Sequence, residues 1–318
     1  MRRVLLCFPG QAVLGKTLAD QLDARLCAVA WRHFPDGESL VAIDEDLHEA
    51  DVAIVASLHQ ADAIALPLRF AAETARAYGA RSIGLVAPYL GYMRQDTRFH
   101  PGEAVSAPLF ARFLESSFDW LVTVDPHLHR VRALGDLFSI PVGNVAAAPA
   151  IATWLRANAP NAVLIGPDIE SRQWVEKVAS LVGVPAQVLQ KVRRTDRDVE
   201  VTLPDAADIQ GRTPVLLDDI VSTGQTLLAT LSHLQSLGLA APICVATHAV
   251  FADDACTLLL NAGAARVVST DTIPHPTNAI GVGALLAAGA DELFGKTAKV
   301  ARGDEASEAY EWFGDQEP

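Results

Sequence analysis

The sequence is short of aromatic residues, basic residues, paired cysteines and long hydrophobic runs, and each shortage narrows the field. Aromatics make up 6% of 318 residues although half of the chain is apolar, so its apolar material is mostly Ala, Val and Leu. That mix suits small-residue helices packed on parallel strands covered on both faces. Lys and Arg number 25 against 38 Asp and Glu, a formal net charge of −13. A surface of that sign repels nucleic acid and anionic membrane, and neither is expected as a partner. The cysteines, Cys7, Cys27, Cys244 and Cys256, form no C-x-x-C pair. They read as small buried residues in a reducing compartment rather than a disulfide or zinc framework. No apolar run has the length to span a membrane. The opening MRRVLLCFPG begins like a signal peptide, but Pro9 and Gly10 cut it short at the length of a strand. A cytoplasmic protein is expected.

What is present is alternation. Apolar runs at 3–8, 51–57, 81–87, 120–125, 162–166, 213–219, 242–248 and 265–270 read as strands. Stretches of helical period lie among them at 14–26, 61–79, 107–117, 169–183 and 223–238. Gly79, Gly183 and Gly238 stand where a left-handed helix cap is wanted. Strand–helix–strand alternation means a mainly parallel α/β fold, and the length fits two domains. The alternation runs through twice. An acidic corner with proline, VDPH at 124–127 and TDTIPH at 270–275, recurs near the end of each pass. The expected organisation is a domain over 1–147, a second over 148–280, a helix at 281–294 packing back on the first, and a mobile acidic tail at 295–318.

The segment PVLLDDIVSTGQTLLATL (214–231) carries the most chemistry. An apolar strand runs into Asp218 and Asp219, a turn of Ser222, Thr223, Gly224, Gln225 and Thr226 follows, and then an apolar helix. Backbone N–H groups at such a loop and helix start supply partial positive charge for a phosphate. The hydroxyls of Ser222, Thr223 and Thr226 add donors, and Gly224 lets the backbone approach an anion. Two carboxylates beside them suit the neighbouring hydroxyls of a sugar, whereas unpaired burial of both would be costly. A capped helix start is the plainer reading of the Ser/Thr, and it leaves the Asp pair unexplained.

Four other segments are informative. FPDGE (34–38) has the composition of a turn between strands. PYLGYMRQDTRFHPGEAVS (88–106) places Arg94, Gln95, Asp96 and Arg98 in a polar loop after a strand. Those arginines suit phosphate, Gln95 suits a base edge, and an ion-pair network with Asp96 and Glu103 is the alternative. His127 in TVDPHLHR sits at a strand end, where open α/β sheets bind ligands, with His129 as a supporting residue. GPDIES (166–171) puts Asp168 at another strand end, and KVRR (191–194) puts Lys191 and Arg193 at the base of a charged stretch that otherwise reads as a hairpin.

In this order and spacing the segments resemble the ribose-phosphate diphosphokinase (phosphoribosyl diphosphate synthetase) family over roughly residues 3 to 294. FHPGEAVS (99–106) is most similar to its archaeal-type members. Ser222 stands where the family usually has an acidic residue and Gln225 where it has a small one. Glu170 and Ser171 replace small residues.

The resemblance implies two tandem phosphoribosyltransferase-like domains. The first would carry the ATP loops: Phe34, Asp36 and Glu38, reaching the adenine held by a neighbouring subunit, and Arg94, Gln95, Asp96 and Arg98. In the second, Asp218, Asp219, Ser222, Thr223, Gly224, Gln225 and Thr226 would bind ribose 5-phosphate. Lys191, Arg193 and His127 would be catalytic, and His127 and Asp168 would be linked to Mg²⁺. A homo-oligomer built from dimers with a shared ATP site is implied. A phosphoribosyltransferase shares only the 218–226 loop. A non-catalytic regulatory homologue, or a plain sugar-phosphate-binding protein, does not require His127, Asp168, Lys191 and Arg193 together.

Overall fold

A computed structural model describes residues 2–128, 130–189, 191–193, 199–201 and 209–296. The first sheet contains β1 (Arg3–Cys7), β2 (Arg25–Ala28), β5 (Asp51–Val55), β6 (Ser82–Ala87), β7 (Trp120–Val124) and β8 (Val142–Val145), in the order β2-β1-β5-β6-β7-β8. A separate antiparallel hairpin, β3 (Ala30–His33) and β4 (Ser39–Ala42), follows β2. The second sheet contains β9 (Ala162–Gly166), β10 (Ala186–Val188), β13 (Thr213–Ile220), β14 (Ile243–His248), β15 (Arg266–Thr270) and β16 (Asn278–Ile280), in the order β10-β9-β13-β14-β15-β16. Here too a hairpin follows the second strand: β11 (Lys191–Arg193) pairs antiparallel with β12 (Val199–Val201). With the hairpins set aside and each sheet's strands numbered along the chain, both sheets read 2-1-3-4-5-6. Two mainly parallel sheets flanked by helices are the predicted fold class.

The repeat extends to individual hydrogen bonds. After the fifth strand of the first sheet, the N–H of Asp125 donates to the Val145 carbonyl (3.0 Å) and its carboxylate accepts from the N–H of Ala147 (2.8 Å). After the fifth strand of the second, Asp271 donates to Ile280 (3.0 Å) and accepts from Val282 (2.8 Å). The acidic corners therefore do the same work in both halves: each fastens the turn after strand five to the end of strand six, and satisfies backbone groups that burial would otherwise strand.

The chain divides into two compact units. One takes Met1–Thr123, Leu128–Asn144 and the described residues from Leu286; the other takes Val124–His127 and Val145–Leu285. In the first, β1, β5, β6 and β7 are buried along almost their whole length. Continuous apolar runs are what doubly covered parallel strands require. One face packs on α2 (Ala61–Ala77) and α3 (Ser106–Glu115) through Leu68, Ala72, Phe110 and Leu114. At Gly84 a Cβ would fall inside the Trp120 ring, so this strand position has no room for a side chain. Phe294 lies 5.1 Å from Trp120 between ring centroids, and Arg3 binds Asp291 at 2.7 Å. The end of the helix Gly283–Asp291 and the turn after it thereby join the first unit.

Several boundaries differ from the sequence reading. The helical pattern at 14–26 ends early: α1 spans Ala12–Leu22, because Asp23 turns left-handed (φ 49°), and Arg25 and Leu26 enter the edge strand β2. The expected domain boundary at 147/148 falls between strand β8 and the start of α4 (Ala148–Asn158). The short strands β2, β10 and β16 and the helix Ala255–Asn261 carried no recognised pattern, whereas β3 and β4 flank the turn expected at FPDGE. Gly79, Gly183 and Gly238 all have positive φ (82°, 82° and 66°), as left-handed caps demand. The tail from 297 to 318 lies outside the described residues.

Candidate functional site

The second sheet builds the site at the carboxyl ends of β9 and β13, which are neighbouring strands. β13 stays apolar through Leu217 and then presents Asp218 and Asp219. The Asp219 N–H donates to the Asp218 carboxylate (3.0 Å), and the Ile220 N–H donates to that of Asp219 (2.7 Å). The turn after Ile220 is tied down beyond β14: Phe251 donates to the Val221 carbonyl (2.9 Å) and Ala252 to that of Ser222 (3.1 Å). Gly224 closes the turn at φ 71° and forms the N-cap of the helix Gln225–Ser236. A Cβ there would meet Leu259 only at ordinary contact, 3.6 Å, so the positive φ and not space is what favours glycine. No side chain caps this helix start. Its first N–H groups, with the exposed Thr223 and half-buried Ser222 and Thr226 beside them, form a cradle for an anion.

Two further side chains act on the Asp pair. His127 donates from Nδ1 to Asp219 Oδ2 at 2.6 Å. Burial works against the charged form of Asp219, but the His127 hydrogen bond and its charge, with the Ile220 N–H, hold the carboxyl below its usual range. Asp218 behaves oppositely: burial first, then the charges of Asp219 and Asp168, push it up to about 8. Asp168 follows β9 and accepts the N–H groups of Glu170 (3.1 Å) and Ser171 (3.2 Å) at the start of α5 (Arg172–Val182). The charges of Asp168 and Asp219 both act on Asp218, a concentration of negative charge that a divalent cation nearby would relieve. Among the described residues no three His, Cys, Asp or Glu side chains form a ready-made metal cage.

Beneath this layer lies a residue that the sequence reading passed over. His248 ends β14 beside Ile220 and is 1% exposed. Its Nε2 lies 3.2 Å from the Asp125 carbonyl, and Nδ1 lies 2.9 Å from the Thr272 hydroxyl. A carbonyl only accepts, so Nε2 carries the proton; in the neutral ring Nδ1 is then an acceptor for the Thr272 hydroxyl, which also lies 2.9 Å from the Thr247 carbonyl. Burial pushes the imidazole down to about 4, against the opposing pull of the Asp125 carbonyl and the Asp219 charge. The histidine in VATHAV was legible as a strand end; its burial was not.

In the first unit, FPDGE is the turn of the β3–β4 hairpin. Phe34 donates to the Glu38 carbonyl (2.8 Å), Asp36 accepts from the Glu38 N–H (3.1 Å), and Gly37 takes φ 92°. The ring of Phe34 is 39% exposed with Arg32 over it. In the polar loop, Arg94 and Arg98 are exposed. Gln95 accepts the Ser106 hydroxyl (3.0 Å) at the start of α3. Asp96 takes both the N–H (2.8 Å) and the guanidinium (2.9 Å) of Arg130, and Glu103 takes the N–H groups of Phe99 and His100. The ion-pair alternative therefore holds for Asp96, although its partner is Arg130. Lys191 and Arg193 stand in β11, with side chains outside the described residues, as is His129.

Comparison with known proteins adds to this geometry. The model of the phosphoribosyl transferase domain matches residues 143–285. Residues 4–117 match the N-terminal domain of ribose phosphate pyrophosphokinase. The ribose-phosphate pyrophosphokinase of Methanopyrus kandleri is 35% identical over 284 residues, covering 89% of this chain and 96% of the relative. The chain belongs to the ribose-phosphate pyrophosphokinase family. The enzyme of that name from Halobacterium salinarum is 36% identical over 272 residues, 85% of this chain and 94% of its own. Phosphoribosylpyrophosphate synthetase from Mycobacterium smegmatis superposes with a TM-score of 0.79 at 26% identity, covering 92% of this chain and 98% of that one. The match to the pyrophosphokinase's N-terminal domain is what separates this family from the phosphoribosyltransferases, which share the second domain.

Proposed function

We propose that this protein is a ribose-phosphate diphosphokinase, converting ATP and ribose 5-phosphate to AMP and 5-phosphoribosyl 1-diphosphate. The observation that carries the reading is the Asp218–Asp219 pair fused to an uncapped helix start, with His127 locked on Asp219. That arrangement offers carboxylates to a vicinal diol and backbone N–H groups to a phosphate within one loop. Ser222, Thr223, Gly224, Gln225 and Thr226 hold the 5-phosphate, and Asp218 and Asp219 accept from the ring hydroxyls. The anomeric oxygen attacks the β-phosphorus in line. The bond from that phosphorus to the oxygen bridging it to the α-phosphate breaks, AMP leaves with the bridging oxygen, and the anomeric proton is released. Lys191 and Arg193 neutralise charge on the transferring group.

His127 and Asp168 are the residues that would meet Mg²⁺, which would supply positive charge to neutralise the ATP phosphates. Arg94 and Arg98 contact ATP phosphates and Gln95 the adenine, while Asp96, committed to Arg130, shapes that loop. Phe34, Asp36 and Glu38 serve an adenine held by a neighbouring subunit, which makes the working form a homo-oligomer built from dimers. Four free cysteines fit a cytoplasmic setting. The test is product analysis after incubation with Mg-ATP, with and without the sugar phosphate. AMP formed only with the sugar, together with a new diphosphate signal on it, is the expected result. ADP in place of AMP overturns attack at the β-phosphorus, and no cleavage overturns the activity.

A further inference from the structure

The corner after β7 differs from its repeat in one respect. Asp125 and Asp271 make equivalent backbone and carboxylate hydrogen bonds to the end of the sixth strand. Asp125 nevertheless has φ 32°, a conformation that non-glycine residues rarely adopt, whereas Asp271 is not among the residues of positive φ. Backbone held in such a region persists only when its surroundings fix it. Among the described residues, what Asp125 has and Asp271 lacks is a buried imidazole on its carbonyl: His248 Nε2 at 3.2 Å. Two residues beyond the bend, His127 reaches Asp219. The His248 ring is itself set by Thr272, and the Thr270 hydroxyl occupies the Thr247 carbonyl close by (2.6 Å).

We infer that His248 is a positioning residue of the sugar-phosphate site: its Nε2–H holds the Asp125 carbonyl, and with it the left-handed bend that aims His127 at Asp219. The inference rests on the proposed function for its catalytic consequence, but the geometry it asserts is independent of that reading. His248 touches no substrate. It acts through two residues of backbone, and the neutral ring with its proton on Nε2 is the form the bend needs.

The test compares His248→Phe, which removes the donor, with His248→Gln, whose amide can place a donor near the Nε2 position. Nitrogen-edited NMR reads the His127 Nδ1–H, assigned by its disappearance in His127→Ala. The resonance is expected to persist in the wild type and in His248→Gln. It should be lost in His248→Phe while the remaining amide spectrum stays native. Turnover should fall at least tenfold in His248→Phe, be largely restored in His248→Gln, and fall no further in His127→Ala/His248→Phe than in His127→Ala alone, the non-additivity expected of residues acting in series. If phenylalanine prevents folding, Thr272→Val, which frees the opposite nitrogen of the same ring, is read by the same resonance. An unaltered His127 signal in a folded donor-less variant overturns the inference, and so does full additivity in turnover. If His127→Ala turns over normally, the catalytic reading of His127 fails, and the resonance alone then decides the positioning role.

Discussion

Acidification from pH 7.5 to 5 should remove about 2 kcal/mol of stability from the second unit through His248 alone. The ring is buried at 1% exposure and its folded pKa is pushed from 6.5 down to about 4. The sign follows from a depressed value. Above 6.5 neither state binds the proton and the contribution is intact. Below it the unfolded chain takes up a proton that the folded chain refuses, so stability drains until about pH 4. At pH 5 the two states differ in proton-binding weight by roughly thirtyfold, which is about 2 kcal/mol; at pH 7.5 the difference is about nil. Asp218 and Asp219 also titrate with opposite shifts, so wild type must be read against His248→Gln, where their contributions are shared. Hydrogen exchange of β14 peptides, corrected for intrinsic rates, follows the unit that carries the site. The gap between wild type and His248→Gln should shift by about 2 kcal/mol between the two pH values. A gap that is the same at both would refute the claim that the ring is held neutral by burial.

Asp219→Asn should raise the Michaelis constant for ribose 5-phosphate at least tenfold, because it weakens both the diol acceptor and the partner of His127; steady-state kinetics with the sugar varied check this. Lys191→Ala should lower kcat by several orders of magnitude with sugar-phosphate affinity retained, measured by single-turnover assay and calorimetry. Gly84→Ala should cost at least about 1–3 kcal/mol of the first unit's stability, the range for overpacking a filled core. Combining it with Trp120→Leu should cost less than the sum of the two, and strict additivity in urea denaturation would show that the ring is not what the new methyl meets.

The carboxyl end of β13 was legible because it is written in residues that burial penalises. Asp218 and Asp219 at the end of PVLLDDI invited a functional reading, and the left-handed Gly224 marked the turn. Continuous apolar strands such as β5, β6 and β7 were equally plain. Edge strands were not: β2 is mostly exposed and β10 only half-buried, so neither needs an apolar run. His248 was hidden for another reason. Nothing local tells a strand-end histidine packed under a loop from one facing water; its partners, Asp125 and Thr272, are 123 and 24 residues away. The partner of Asp96 was missed in the same way, since Arg130 lies 34 residues on.

The two sheets share one strand order, so the helix start after the third strand exists twice. In the second unit it is the uncapped cradle after Gly224. In the first it is the beginning of α2, after β5, and there Asp62 sits in the first turn and accepts a hydrogen bond from the Tyr92 hydroxyl. The first copy thus supplies its own anion: a carboxylate already neutralises the positive end of the helix and would repel a phosphate brought to it. On the proposed function, one sugar phosphate per chain is therefore the expected stoichiometry: the architecture occurs twice, and only the copy after Gly224 leaves its helix start without a carboxylate in the first turn.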